Sequence, residues 1–170
     1  FSACDKIISE FQHQNFVKLF GGGSGTFGFD VTEVDDGGYL ATGYTVTTQL
    51  RRQVYVASVK KAGNSIWQRS FGTEHNEEGR VVKFYDNEIF VAGTNTNFIT
   101  GNVQTFVLRL SLQGDSLAYN LLNVANNMVV NDMLVSEGNI YLVGERYSDN
   151  STLANYFIAC TDFNGSLVWS

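Results

Sequence analysis

Long apolar runs are missing from this 170-residue chain. No stretch approaches the ~20 consecutive apolar residues of a membrane-spanning helix, so none is expected. Basic residues are scarce, 11 Lys and Arg against 17 Asp and Glu for a net charge of −6. That balance argues against a nucleic-acid partner, because phosphate binding depends on clustered cations. Two cysteines, Cys4 and Cys160, do not make a disulfide framework. Proline is absent, and the sequence offers no physical reason for it. Catalytic signatures are missing too: there is no nucleophile elbow, no His-containing triad pattern and no helix on which HExxH would sit.

What is present points to a folded, β-rich domain. Hydrophobic residues make up 44% and charged residues 16% of the chain, a globular rather than a disordered balance. Gly 17, Tyr 8 and Phe 13, with frequent Val and Thr, favour strands and turns. Cys160 lies in YFIACTDF, an apolar strand-like run, and is expected to be a buried, inert thiol. Phe1-Ser2-Ala3-Cys4 looks like a bacterial lipobox, in which small residues precede a cysteine that becomes lipidated. Residues 1–15 are therefore read as the end of a signal peptide and a linker, with Cys4 the lipidation site.

Gly23-Ser24-Gly25-Thr26-Phe27-Gly28 fits G-x-G-x-x-G after a strand-like FVKLF. A dinucleotide loop needs a helix N-terminus behind it, and here FDVTEVDDGGYLATGY alternates and turns instead. The chain's own repetition explains the segment better. Gly63, Gly114 and Gly165 are spaced by 51 residues, as are Phe16, Trp67, Ala118 and Trp169. VYVASVKKAGNSIWQRSFG (54–72) matches TFVLRLSLQGDSLAYNLLN (105–123), and YFIACTDFNGSLVWS (156–170) begins the pattern again. GYLATG, EIFVAG and NIYLVG precede them, each closing on glycine at 43, 93 and 144. The units run 16–66, 67–117 and 118–168, with a fourth starting at 169. GTEHNEEG (72–79) and NVANNMVV (123–130) stand where GGGSGTFG stands in the first unit, without its glycine spacing, so all three read as connectors.

Each unit holds four strand-sized runs; in the first they are 29–34, 39–44, 54–60 and 65–71. Two connections are tight, DDGG and KAGN in the first copy, and their Gly, Asn and Asp suit hairpins. Four antiparallel strands per unit is the blade pattern of a β-propeller, so the expected fold is all-β with three four-stranded blades, a partial propeller. The units resemble the β-propeller repeats of bacterial secreted and surface-anchored proteins, through Val56, Lys60, Gly63, Trp67, Phe71 and Gly72 followed by Val91-Ala92-Gly93. Ala57, Gly63 and Trp67, and again Ala159, Gly165 and Trp169, are also similar to the tryptophan-docking motif of quinoprotein propellers, with Val59 and Thr161 in place of its Asp. Trp67 and Trp169 are expected to pack between blades. Three blades leave open ends, which implies either a piece of a larger propeller, the preferred reading, or a ring made by several copies.

In an antiparallel meander the tight turns share one face and the long connections the other. The long face carries 45–53, 94–104 and 145–155, which differ between copies and are where binding is expected. Candidate contacts are Arg51, Arg52, His75, Glu77 and Glu78, together with Arg146, Tyr147 and Asp149. His75 with Glu74, Glu77 and Glu78 matches no established metal-ligand spacing and reads as a solvated acidic loop. Asp35-Asp36-Gly37-Gly38 reads as a hairpin turn rather than a calcium loop. The expected function is a non-catalytic scaffold of a cell-envelope lipoprotein, needing no cofactor or metal and binding a protein or carbohydrate. The alternatives are a propeller hydrolase or lyase, or a quinone-dependent dehydrogenase, with catalytic residues in other blades.

Overall fold

The computed structural model describes residues 17–21, 25–122, 124, 127–148 and 153–170. The lipobox with Cys4, the start of the glycine-rich segment (22–24) and Asp149 lie outside the described residues. Twelve strands fill the rest. β1 (Thr26–Glu33), β2 (Tyr39–Val46), β3 (Arg52–Val59) and β4 (Ser65–Phe71) form one sheet. β5 (Asn76–Tyr85), β6 (Glu88–Thr96), β7 (Val103–Ser111) and β8 (Ser116–Leu121) form the second. β9 (Met128–Ser136), β10 (Asn139–Tyr147), β11 (Ala154–Asp162) and β12 (Leu167–Trp169) form the third. All neighbours are antiparallel, and the three sheets stack as blades of an open arc, blade 1 to blade 3. The sheets place Trp67, Ala118 and Trp169 in the last strand of each blade, so sequence period and hydrogen-bonded unit are out of phase.

Period-2 alternation assigns each side chain to one junction. Leu40, Val54 and Val56 of blade 1 meet Val82, Ile89, Val91, Phe106, Leu108 and Leu110 of blade 2. On the other side of blade 2, Phe90, Ala92 and Val107 meet Val130, Met133, Ile140, Leu142 and Ala159 of blade 3. This is why IFVAG (89–93) in β6 is continuously apolar: a sheet covered on both faces has no polar side to alternate with. Each such fully buried large side chain contributes ~1.5–3 kcal/mol. Cys160 is buried and free, as its surroundings predict.

Hairpin chemistry follows the sequence. Gly63, Gly114 and Gly165 take φ of 74°, 79° and 83° in identical turns, where the Gly N–H bonds back to the residue three before it at 2.7–3.0 Å. The glycines at 43, 93 and 144 have a different cause, inside the sheet. They pair with Gly28, Gly79 and Val130, and β1, β5 and β9 each bulge at the next residue, Phe29, Arg80 and Asn131. The bulge drives a carbonyl over the glycine: a Cβ on Gly43, Gly93 or Gly144 would lie 1.7, 1.9 or 2.0 Å from the oxygen of Phe27, Glu78 or Val129. One residue past the bulge, Asp30 Oδ2 accepts the Val82 N–H of blade 2's innermost strand (2.9 Å), covering an otherwise open sheet edge.

Outer strands clasp the next blade. Trp67 packs on the first junction and donates Nε1–H to Leu112 O in the outer turn of blade 2 (2.8 Å). Arg69 reaches Gly114 O (3.1 Å) and Asp115 (2.6 Å) in the same turn. Asn120, 51 residues on, donates to Asn164 O of blade 3 (2.7 Å). Trp169 differs from Trp67: it has no following blade among the described residues, is half exposed and touches Tyr141 within its own sheet.

Candidate functional site

The tight turns 35–38, 61–64, 86–87, 112–115, 137–138 and 163–166 alternate along the meander with the long connections, so the two kinds emerge at opposite ends of the blades. The long connections are shorter than the sequence reading made them. β5 starts at Asn76, so Glu77 and Glu78 belong to a strand and not to a loop; Arg52, Arg146 and Tyr147 are likewise strand residues. The reason is that pairing with the neighbouring strand continues past each bulge, through Glu77↔Asn95 and Glu78↔Thr94.

That pairing overturns the solvated acidic loop. Adjacent strand residues point to opposite faces, so Glu77 and Glu78 part and do not join Glu74 and His75 in one cluster. Glu77 is fully buried at the junction of blades 1 and 2. Its Oε1 accepts from Thr73 N–H (3.0 Å), from the Thr73 hydroxyl and from Asn95 Nδ2 (3.0 Å). Asn95 also donates to the Tyr119 hydroxyl (3.2 Å). Burial pushes that hydroxyl up to about 12, the bond from Asn95 works against the shift, and the nearby Glu77 charge adds to it. Glu77 Oε2 receives no hydrogen bond from the protein and lies beside Gly72, where a Cβ would come within 3.0 Å of it.

Glu78, on the other face, pairs with Arg52 and stands 3.6 Å from Arg80. Arg52 also stacks at 5.1 Å from the Tyr44 ring, and its backbone N–H donates to Asn76 Oδ1 (3.0 Å). Arg51 sits on the Phe98 ring at 3.1 Å, bridging the long loops of blades 1 and 2. Among the described residues, three buried side-chain polar atoms lack a hydrogen-bond partner: Arg51 Nη1, His75 Nδ1 and Glu77 Oε2. All three belong to residues singled out from the sequence, and all lie on the connections and strand starts of the first junction's long-loop end.

The remaining candidates are elsewhere. Tyr147 donates to Glu145 Oε2 (2.5 Å) on blade 3, and Asn131 Nδ2 adds a second bond to Glu145 (3.3 Å). These bonds hold the Glu145 carboxyl below its ordinary range, the Tyr147 bond most of all, and the same bond raises the Tyr147 hydroxyl. Arg146 is exposed on the neighbouring position of β10. The structure therefore brings Arg51, Arg52, His75, Glu77 and Glu78 to one junction and leaves Arg146 and Tyr147 outside it.

Sequence reasoning passed over Thr73, Asn95, Phe98 and Tyr119. The signal for Asn95 lay in the repeat: the cross-strand pair is Thr26↔Thr45 in blade 1, Glu77↔Asn95 in blade 2 and Met128↔Arg146 in blade 3. Beside this end, a cleft of about 410 Å³ runs between the outer strands of blades 1 and 2, lined by Ser70, Phe71, Thr73, Leu108 and Tyr119 among others. No protein-family model matches the chain, and no curated protein is significantly similar to it.

Proposed function

We propose that the chain is a non-catalytic propeller scaffold of a bacterial cell-envelope lipoprotein, binding a glycan through its long-loop face at the junction of blades 1 and 2. The observation that carries this reading is the group of three buried, unpartnered polar atoms on Arg51, His75 and Glu77. Leaving a buried donor or acceptor unsatisfied costs ~1–3 kcal/mol, and a ligand that supplies the missing bonds recovers that cost. A guanidinium donor, an imidazole nitrogen and a carboxylate acceptor suit hydroxyl groups, each of which both donates and accepts. Phe98 and Tyr119 add apolar surface for a sugar ring. Support for the envelope setting is the lipobox-like Phe1-Ser2-Ala3-Cys4.

A glycan array probed with labelled protein tests the reading. Binding to a subset of surface polysaccharides, weakened at least tenfold in Arg51→Ala and Glu77→Gln, is the expected result. Binding untouched by both substitutions, or an array with no signal, counts against it. A peptide library bound in a way that needs Arg51 and Glu77 would keep the site and change its partner to a protein.

A further inference from the structure

We infer that the ligand of the first junction is an amino sugar, whose protonated amine pairs with the buried carboxylate of Glu77; this rests on the glycan reading above and names the kind of glycan. Glu77 is fully buried, yet no cation accompanies it. The ion pairs nearby belong to Glu78 on the opposite face, with Arg52 and Arg80, and among the described residues no Lys, Arg or His pairs with Glu77. Its hydrogen bonds come from neutral groups and fall on one oxygen. Oε1 accepts from Thr73 N–H, the Thr73 hydroxyl and Asn95 Nδ2, while Oε2 accepts from none. A buried carboxylate is costly until an opposite charge and further donors meet it, and an ammonium supplies both.

The unpartnered oxygen lies next to the cleft of about 410 Å³ between the outer strands of blades 1 and 2. Gly72 lines that cleft and is exposed, and a Cβ on it would come 3.0 Å from Oε2 and 2.8 Å from Gln53 Cγ. A residue without a side chain therefore separates the carboxylate from the cleft. Phe71 and Tyr119 line the same cleft, and the faces of their rings attract an ammonium. Asn95 Nδ2 serves both Glu77 (3.0 Å) and the Tyr119 hydroxyl (3.2 Å), which ties the cleft wall to the buried charge. Tyr119 accepts in that bond and keeps its own proton to donate to a sugar oxygen. A lysine side chain or a peptide N-terminus would also bring an ammonium, but would leave Arg51 Nη1 and His75 Nδ1 at the same end without partners. A sugar carries hydroxyls beside its amine and serves all three groups.

Calorimetric titration with an oligomer of glucosamine and with its N-acetylated counterpart tests this, since the pair differ only in whether the amine is free. The free-amine oligomer is expected to bind the parent chain about 10- to 100-fold more tightly, the range of a hydrogen bond between charged groups. Glu77→Gln keeps the side chain's shape without its charge and should remove most of that preference. Gly72→Val leaves the carboxylate in place but fills the approach to it, and should do the same; it decides the matter if circular dichroism shows Glu77→Gln to be unfolded. A chain of net charge −6 attracts polycations in general, so Glu33→Gln, at the end of β1 beside the tight turn, is the control and should keep the preference. A preference that survives Glu77→Gln and Gly72→Val, or that Glu33→Gln also abolishes, is general attraction and overturns the inference. Equal binding of both oligomers, still weakened by Arg51→Ala, would overturn the amine and keep the glycan site. Binding of neither oligomer would overturn the inference, and the glycan array then decides separately whether the glycan reading falls with it. A lysine-rich peptide that binds more tightly than the glucosamine oligomer, and only when Glu77 is present, would replace the amino sugar with a protein.

Discussion

The position filled by Glu77 at the first blade junction is filled by Met128 at the second. Both lie in the first two residues of the innermost strand of their blade, both are buried, and both sit opposite a cross-strand partner, Asn95 in one case and Arg146 in the other. Met128 needs no hydrogen bonds from its side chain, whereas Glu77 takes three at Oε1 and leaves Oε2 without one. The same backbone thus accepts an apolar residue, so blade packing does not call for a carboxylate at this place. A buried charge that the fold does not require is a cost, and residues that break a local rule without a structural return concentrate at functional sites.

That comparison presumes a shared backbone, and the largest expected effect checks it. Gly93→Ala and Gly144→Ala each force a Cβ to within about 2 Å of a carbonyl oxygen that cannot move without undoing the bulge. Both should lose about 3 kcal/mol or more in denaturant unfolding, by similar amounts. A large loss at one and none at the other would show that the junctions are not equivalent. Met128→Ala comes next, at about 2–4 kcal/mol, the cost of a cavity in a packed core.

Tyr119 sharpens the contrast through pH. Its hydroxyl titrates at about 12 in the fold and near 10 in an unfolded chain. The protonated form is the one the fold favours, so this contribution is fully present below pH 10 and is lost as pH rises from 10 to about 12. The loss is roughly 2–3 kcal/mol, read as a fall in the urea midpoint over that window that Tyr119→Phe removes. An unchanged pH profile in Tyr119→Phe would place the hydroxyl in water.

Much of the fold was legible because it repeats. Turn residues at 63, 114 and 165, alternating strands and the recurring glycine at 43, 93 and 144 each have a local physical cause, and threefold repetition separates them from chance. The site was legible only in part. Arg51, His75 and Glu77 stand out as chemistry-bearing residues on the variable face, but GTEHNEEG carries three carboxylates in eight residues and reads as solvated. Its burial depends on Asn95 and Tyr119, 18 and 42 residues away, which local composition does not reveal. Comparing Thr26, Glu77 and Met128 across the copies is the reading that exposes it, since a charge stands where the repeat elsewhere places Thr or Met.

The most direct test of the difference between the junctions is urea unfolding of Glu77→Met, which writes the second junction's residue into the first. The expected result is a midpoint within about 1 kcal/mol of the parent chain, with an unchanged slope, because removal of the unpaired Oε2 offsets the loss of the bonds that Thr73 and Asn95 donate to Oε1. A loss of about 2 kcal/mol or more would mean that Glu77 and its bonds to Thr73 and Asn95 hold the junction together, and would contradict its assignment to ligand binding.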